Sequence, residues 1–279
     1  MMLLNPIGTQ KLIKTLLWVL TGLTIGILFF IIFFIFIKGI PQLSWTFLST
    51  NPVDMGRSGG ILATIVSTIY LIGIALFFAT PLGLGTAIYL TEYTRESLVT
   101  RIIRFGTESL AGIPSIILGL FGFAIFVMAF GWGWSLLSGG LTLSAMLLPT
   151  IIRTSEESIL AVPQEYREVA FSLGVGKWKT ITRVVLPAAL PGIVTGIVLS
   201  IARSIGETAV IIFTAGSSLR FPNSIFESGR TMAVHFYILA REGISMPMAY
   251  GTAAILVLLI LIINISAYMA MRFLMKKYS

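Results

Sequence analysis

Long, uninterrupted apolar runs constrain what this chain can fold into more than any other feature. Several of them reach or exceed the ~20 residues that an α-helix needs to cross the hydrocarbon core of a bilayer. They are continuous and do not alternate with polar residues, so they are typical of helices and not of barrel strands. Hydrophobic residues make up 56% of the 279 residues and charged residues 11%, whereas a soluble domain carries about 25% charged residues. The sequence therefore predicts an all-α protein that crosses a membrane several times.

We expect six membrane spans, at about residues 12–37, 61–90, 107–130, 140–160, 188–215 and 248–272. The first run is longer than the roughly 7–15 apolar residues of a signal peptide, so we interpret it as a retained first span. Six spans place both termini on the same side. The segments on that side carry twelve Lys and Arg residues against five on the other, which predicts that the termini lie in the cytoplasm.

Proline and glycine interrupt the predicted spans. Pro81, Pro114 and Pro149 fall within the second, third and fourth spans. Five glycines lie nearby: Gly83, Gly85, Gly112, Gly119 and Gly122. Such residues are tolerated in membrane helices because neighbouring groups satisfy the freed backbone atoms. Two interpretations stay open, close packing of helices through small residues and hinges for gating.

A cytoplasmic loop at residues 161–187 has the pattern of two short helices. It contains the stretch VPQEYREVAFSLGVGKWKTITRVVLP. Pro163 suits a first helical turn, and a helix over residues 164–173 can end at Gly174 or Gly176. A second helix is expected over KWKTITRVV. The apolar side chains of this loop cannot all face lipid, so we expect them to fit a groove on a partner protein.

The spacing within this loop resembles the EAA motif of the membrane subunits of ABC importers. That motif reads Glu-Ala-Ala, three residues, Gly, nine residues, Ile, any residue, Leu-Pro, and the chain keeps the spacing with valine in place of the middle Ala and of Ile. In this family the loop docks into a groove of the ATPase subunit. The resemblance implies that five residues couple the chain to an ATPase: Glu168, Ala170, Gly174, Leu186 and Pro187.

Longer segments resemble the PstA-type permeases of phosphate importers. They include GIPSIILGLFGFAIFV, ARSIGETAVIIFTAG and GRTMAVHFYILAREG, and the resemblance covers roughly residues 58–272. It implies a MetI-like permease fold in the cytoplasmic membrane, with residues 1–57 as an N-terminal span and outer loop and residues 58–279 as the core. It also implies a heterodimer with a PstC-like permease subunit, two copies of a PstB-like ATPase subunit, an extracellular PstS-like phosphate-binding protein and contact with membrane lipid. No nucleic acid is expected.

A cation and an anion interrupt the fifth predicted span. Arg203 and Glu207 sit in an apolar run, where each charge costs at least roughly 2.5–3.5 kcal/mol. They are four residues apart, so on a continuous helix they share a face and can pair. Two interpretations stay open: a structural pair, or Arg203 on the path of an anion with Glu207 as its competitor. Arginine suits phosphate because its planar fork matches phosphate oxygens, and Ser204 and Thr208 could donate further hydrogen bonds.

Two other groups of polar residues are weaker candidates. Arg153 lies three and four residues before Glu156 and Glu157 near the inner end of the fourth span. Arg153 is therefore a further candidate for the substrate path, with a structural ion pair equally open. His235 is the only histidine, and a lone histidine in an outer loop is more often a surface or packing residue than a ligand.

The sequence lacks the motifs of a self-contained enzyme. There is no cysteine, and the stretch GVGKWKT departs from a phosphate-binding loop because Phe171 and Trp178 stand where glycine and Ser or Thr are needed. We expect no catalytic residue, metal or cofactor, and ATP hydrolysis in a separate subunit. Two alternatives to phosphate import remain: a permease of the same fold for sulfate, molybdate or an organic solute, and an ion-coupled secondary transporter.

Overall fold

The computed structural model describes the backbone of residues 6–278 and the side-chain surroundings of residues 9–269, 271 and 272. Most of the described chain is helical. In chain order the α-helices are α1 (Pro6–Gly39), α2 (Trp45–Ser49), α3 (Leu62–Ile88), α4 (Leu98–Gly112), α5 (Ser115–Gly122), α6 (Leu136–Leu160), α7 (Gln164–Ser172), α8 (Lys177–Thr180), α9 (Leu186–Ile205), α10 (Ala209–Thr214), α11 (Met232–Arg241) and α12 (Met246–Tyr278). Three π-helical turns extend these helices: Tyr89–Tyr93 after α3, Phe123–Ala129 after α5 and Ile181–Val185 before α9.

The connection between α1 and α3 forms a small outer cap. It contains α2, the 3-10 turns Ile40–Gln42 and Asp54–Gly56, and an antiparallel pair of short strands, β1 (Pro52–Val53) and β2 (Ser58–Gly59). Pro52 pairs with Gly59, and Val53 pairs with Ser58. The tight loop between the strands passes through left-handed backbone conformations, which Gly56 adopts at a φ of 94°.

Five of the six predicted membrane spans correspond to long apolar helices, and the third predicted span is a bent pair of helices. Within the described residues, five helices are long and apolar enough to cross a membrane, and a sixth span results if the bent pair of α4 and α5 counts as one. The five are Thr9–Gln42, Leu62–Tyr93, Leu136–Leu160, Lys177–Ile205 and Met246–Met269. The side on which the termini lie stays a prediction.

The third span is not the continuous helix predicted over residues 107–130. The chain turns by 106° between α4 and the following helix. Pro114 causes the turn: its ring fixes φ near −58°, and it pushes Ile113 into an extended conformation with ψ of 129°. As a result α4 crosses the apolar helix that follows it almost at a right angle.

The fifth span also differs from the prediction of one helix over residues 188–215. The helix that starts at Lys177 ends at Ile205, and α10 begins only at Ala209. Gly206 lies at the break, where its low helix propensity weakens the continuation, and Thr208 leaves helical geometry with φ of −124°. The two charged residues of this span therefore lie on either side of a helix end.

Helix α6 lies at the centre of the bundle and packs against α3, α9 and α10. Its side chains Leu143, Leu147 and Ile151 are almost fully buried, together with Leu71 of α3 and Val210 of α10. Helix α6 also leads directly into the loop at residues 161–187, so it joins that loop to the core of the bundle.

Small residues bring the helices close together, as the packing interpretation of the glycines predicts. A side chain at Gly83 would overlap Ile151, one at Gly122 would overlap Thr142, and one at Gly119 would meet the backbone of α10. The packing interpretation is confirmed for these three glycines. No such neighbour lies within 4 Å of Gly85 or Gly112 in the described part of the chain, so for these two glycines both interpretations stay predictions.

Helices α6 and α9 also approach each other closely, at a pair of sites that sequence analysis did not identify. A side chain at Gly196 would overlap Thr154, and one at Gly192 would overlap Ser158. The two glycines and the two hydroxyl residues are each four residues apart, so both contacts recur on one face of each helix. This is the small-residue spacing that lets membrane helices approach closely.

Replacing Gly196 with alanine is expected to destabilise the bundle by about 1–3 kcal/mol, because an added methyl group overpacks a filled contact. Gly85→Ala is the matched control: it adds the same methyl group to a helix in open space and should be neutral or slightly stabilising. Thermal unfolding of the purified chain in detergent measures both. Equal midpoints for the two variants would contradict the close contact.

His235 is a packing residue of the outer cap and not a surface residue. It is fully buried on α11, and a side chain at Gly56 would collide with its imidazole ring. Within the described part of the chain neither ring nitrogen has a hydrogen-bond partner. Burial, and secondarily the charge of Arg230, lowers the pKa of His235 to about 4, so the imidazole is neutral at physiological pH.

Lowering the pH should therefore destabilise the packing of α11 against the outer cap, because His235 lies at their contact. The ordinary pKa of histidine is about 6.5. The contribution of the neutral, buried imidazole to the free energy of unfolding is therefore complete above pH 6.5 and declines as the pH falls towards 4. Linkage gives a loss of about 2 kcal/mol at pH 5 relative to pH 7.5. A His235→Leu variant should lose that part of the pH dependence in thermal unfolding. Arg230 and Glu242 are the charged neighbours, and an unchanged pH profile would contradict the assignment.

Candidate translocation site

The break between α9 and α10 exposes an arginine. Arg203 lies in the last turn of α9 and its side chain is exposed. The predicted pair with Glu207 is wrong: within the described part of the chain Arg203 makes no ion pair. The pair required a continuous helix, but α9 ends at Ile205 before Glu207 is reached.

The other residues around the break have their own partners or positions. The Oε1 atom of Glu207 accepts a hydrogen bond from the backbone N–H of Val210 at 3.4 Å. The buried hydroxyl of Ser204 donates to the carbonyl of Ser200 at 2.7 Å, so it is not free to bind an anion. Thr208 sits at the start of α10 without a side-chain capping bond. Of the predicted group around the break, Arg203 is thus an exposed cation without an ion pair in the described part of the chain.

An outer cavity of about 580 Å³ lies between α5, α10 and the loop that follows α10. Three serine hydroxyls and several aromatic and aliphatic side chains line it, among them Ser217, Ser218, Ser228, Phe123 and Trp134. Arg203 is not among its lining residues. Sequence analysis did not identify this cavity, because its walls come from α5 and from α10 with the loop after it, which are distant from α5 in the sequence.

An inner cavity of about 280 Å³ lies between α4, the end of α3 and α6. Arg153, Glu156 and Glu157 all line this cavity, but the two glutamates pair with different arginines. The Nε atom of Arg153 binds Glu157 at 3.1 Å, whereas Glu156 accepts a bond from Arg104 of α4 at 2.6 Å. Arg104 stands 52 residues before Glu156, so no local pattern could have indicated this contact.

The loop at residues 161–187 forms the two expected helices. Helix α7 ends near Gly174, which adopts the left-handed conformation at a φ of 75°. The N–H of Val175 then bonds back to the carbonyl of Ala170 at 3.0 Å, which closes the helix end in the usual glycine-dependent way. Ala170 is buried, and Glu168 is exposed.

The second helix of the loop continues into the fifth span without a break. Leu186 and Pro187 do not start a separate helix, since one helical run extends from Lys177 to Ile205. Pro187 cannot donate to the carbonyl four residues earlier and would clash with it in a regular α-helix. The π-helical turn at Ile181–Val185 stands immediately before this position and accommodates the proline.

The exposed face of this loop is apolar, and no other segment of the described chain covers it. Its large exposed side chains are Tyr166, Val169, Phe171, Leu173 and Trp178. An exposed apolar patch flanked by charged residues is typical of a protein interaction site.

A buried ion pair ties this loop to two spans. Arg167 of α7 donates through Nη2 to Oε1 of Glu92 at 2.7 Å and through Nε to the same oxygen at 3.0 Å. The guanidinium also donates to the backbone carbonyls of Ile159 and Val162 at the end of α6, at 3.0 and 2.9 Å. Only 11% of the Arg167 side chain and 10% of the Glu92 side chain are exposed. This clamp was not predicted, and its two charges are 75 residues apart.

Residues 79–279 match the family described as binding-protein-dependent transport system inner membrane component. The chain belongs to this family of ABC transporter permeases, and it is accordingly a multi-pass inner-membrane protein with a MetI-like fold.

Individual relatives are similar over most of their length. The chain is 33% identical over 275 residues to the probable ABC transporter permease protein YqgI of Bacillus subtilis, covering 93% of this chain and 94% of that protein. It is 34% identical to the phosphate transport system permease protein PstA of Pasteurella multocida, with 92% of each covered. It is 36% identical to PstA 1 of Mycobacterium tuberculosis, covering 81% of this chain and 75% of that protein.

Solved structures show the same fold at low sequence identity. The MetNI methionine ABC transporter in an inward-facing conformation matches with a TM-score of 0.64 and 18% identity, covering 77% of this chain and 95% of that chain. A bacterial alginate ABC transporter, solved with an alginate pentasaccharide-bound periplasmic protein, matches with a TM-score of 0.66 and 15% identity, covering 95% and 94%. The family match over residues 79–279 and the similar permeases show that the chain is a permease subunit of an ABC importer.

Proposed function

We propose that the chain is the PstA-type permease subunit that carries inorganic phosphate across the cytoplasmic membrane. The observation that carries the proposal is Arg203, a cation exposed at a helix break and without an ion-pair partner in the described chain. An arginine left unpaired in an otherwise apolar segment suits an anionic substrate. Relatives of 32–36% identity that are phosphate permeases support phosphate as that anion.

The surroundings of Arg203 suit weak and transient binding of an anion during transport. Its guanidinium offers a planar fork of donors to phosphate oxygens, which gives selective contact. Glu207, four residues on and partly buried, repels the same anion and keeps the affinity low. A transported ion must leave each site again, so weak binding favours flux.

Transport of phosphate into a cell needs an energy source. The membrane potential opposes each negative charge by about 2.3 kcal/mol per 100 mV, and the chain carries no nucleotide-binding motif. We assign the energy input to two PstB-like ATPase subunits, one of which docks on the exposed apolar face of α7 and α8. The clamp between Arg167 and Glu92 then passes their movement to α3 and α6, which supports a rigid-body change between outward and inward openings.

The other proposed partners complete the importer. A PstC-like permease would provide the second half of the path. Helix α1 packs on α12 and is otherwise uncovered by the bundle, so it offers this second permease a large apolar surface. A PstS-like binding protein would deliver phosphate at the outer cavity, where the serine hydroxyls of Ser217 and Ser218 can donate to an anion.

Uptake by the complete complex in proteoliposomes tests the proposal. With ATP inside and the binding protein outside, labelled phosphate should accumulate, and sulfate and molybdate should not. Accumulation of another solute in place of phosphate would keep the importer and overturn the substrate. Uptake that persists without the ATPase subunits and follows an ion gradient would overturn the importer mechanism in favour of secondary transport.

A further inference from the structure

Helix α4 has an orientation that sets it apart from the spans. It begins with a capping box in which Ser97 and Thr100 exchange side-chain and backbone hydrogen bonds, so its start is well defined. It then runs for 15 residues and meets the next, strongly apolar helix at 106°. A helix nearly perpendicular to a membrane span runs close to the plane of the membrane. It borders the inner cavity, at the end of the bundle that also bears the coupling loop.

The side chains of α4 divide into three faces. Ile103, Thr107 and Leu110 are partly buried and face the bundle. An apolar edge beside them is uncovered: Leu98, Val99, Ile102 and Phe105 are 75%, 54%, 60% and 72% exposed. At 100° per residue, these four lie on one arc of the helix. The opposite arc carries the charged residues Arg101, Arg104 and Glu108.

The charges next to the apolar edge indicate what covers it. Arg104 pairs with Glu156 and fixes α4 to α6. Arg101 and Arg95 are exposed and form no ion pair with any carboxylate in the described part of the chain. An apolar edge bordered by free arginines on a helix in the membrane plane matches the boundary between acyl chains and anionic headgroups.

We infer that α4 is an interfacial helix that binds anionic phospholipid of the inner leaflet. Leu98, Ile102 and Phe105 enter the acyl region by roughly 5–10 Å, the usual depth of such helices, while Arg101 and Arg95 contact the headgroup phosphates. This contact is independent of which solute is transported. It places a lipid on the arc of α4 that is turned away from the inner cavity, which Arg104, Thr107 and Glu108 line. The ion pair of Arg104 with Glu156 links this helix to α6.

Spin labelling tests the apolar edge, because the chain contains no cysteine. A single cysteine at Ile102 and, as matched control, one at Glu108 on the opposite arc would be labelled in the reconstituted complex with cysteine-free partner subunits. The label at 102 should collide more with oxygen than with a water-soluble nickel chelate, and the label at 108 should show the reverse. Access of the chelate to position 102, or protection from both reagents as under a covering protein, would overturn the inference.

Native mass spectrometry tests the headgroup contact. Complexes carrying Arg101→Gln or Arg95→Gln should bind phosphatidylglycerol about fivefold more weakly for each arginine removed, since one arginine near an anionic surface contributes that much. Arg220→Gln, an exposed outer-loop variant, is the control and should retain lipid as the wild type does. Equal retention in all variants would overturn the contact. Displacement of the lipid by millimolar inorganic phosphate would assign these arginines to the free ion instead.

Discussion

Phosphate uptake is expected to fall at least about tenfold in Arg203→Gln, since a hydrogen bond to a charged group contributes about 1.5–3 kcal/mol. The reason is that the exposed guanidinium is the cation that the helix break offers to a passing anion. Assembly and basal ATPase activity should be unchanged, because Arg203 makes no ion pair within the described chain. The measurement is labelled phosphate uptake in proteoliposomes, with ATP hydrolysis and subunit content measured on the same vesicles.

Arg220→Gln serves as the control for Arg203→Gln. Arg220 is also an exposed arginine, but it lies in the outer loop and away from the helix break in sequence. Uptake near the wild-type rate in Arg203→Gln would remove Arg203 from the path. Equal losses in both variants would indicate a general effect of positive charge at the outer surface.

Arg167→Gln is expected to uncouple the ATPase from transport and to destabilise the chain by about 3–5 kcal/mol, because it leaves the carboxylate of Glu92 buried without its partner. The same variant removes the donors to the last carbonyls of α6. The coupling loop would then lose its rigid connection to α3 and α6. Thermal unfolding and the ratio of phosphate transported to ATP hydrolysed would show the two effects separately.

Two further variants make this test specific. Arg153→Gln removes an ion pair in which the side chains are 78% and 66% exposed, and such an i,i+4 pair contributes only about 0.3–0.5 kcal/mol. The double variant Arg167→Leu with Glu92→Leu removes both buried charges and should recover much of the stability without recovering coupling. Wild-type stability in Arg167→Gln, or restored coupling in the double variant, would contradict the role of the clamp.

The sequence predicts those parts of the fold that depend on local composition. Apolar runs locate the spans, and the glycine at position 174 and the proline at position 163 locate the ends of α7. The EAA spacing points to the loop whose apolar face the structure shows exposed. In each case neighbours in sequence determine the conformation, so no long-range information is needed.

The predictions that were wrong depended on helix breaks and on long-range contacts, which local composition does not determine. The expected pair of Arg203 and Glu207 assumed that an apolar run is one helix, and the break near Gly206 separates them. The two strongest ion pairs, Arg167 with Glu92 and Arg104 with Glu156, join segments 75 and 52 residues apart. Sequence spacing has no means of indicating such contacts, because the packing of α3, α4 and α6 brings these charges together.

The π-helical turn at Ile181–Val185 makes the length of the coupling segment as important as its composition. A π turn holds one residue more than an α turn, and one residue corresponds to a rotation of about 100° and a rise of about 1.5 Å along a helix. Deleting a single residue there would let the run from Lys177 to Ile205 become regular while keeping its backbone hydrogen bonds. Because the wider π turn takes up the extra residue within one revolution, α8 would keep nearly its present direction relative to α9. A one-residue deletion in the α-helical stretch just after the π turn would instead rotate α8 by about 100° relative to the bundle, so it should be tolerated far less well.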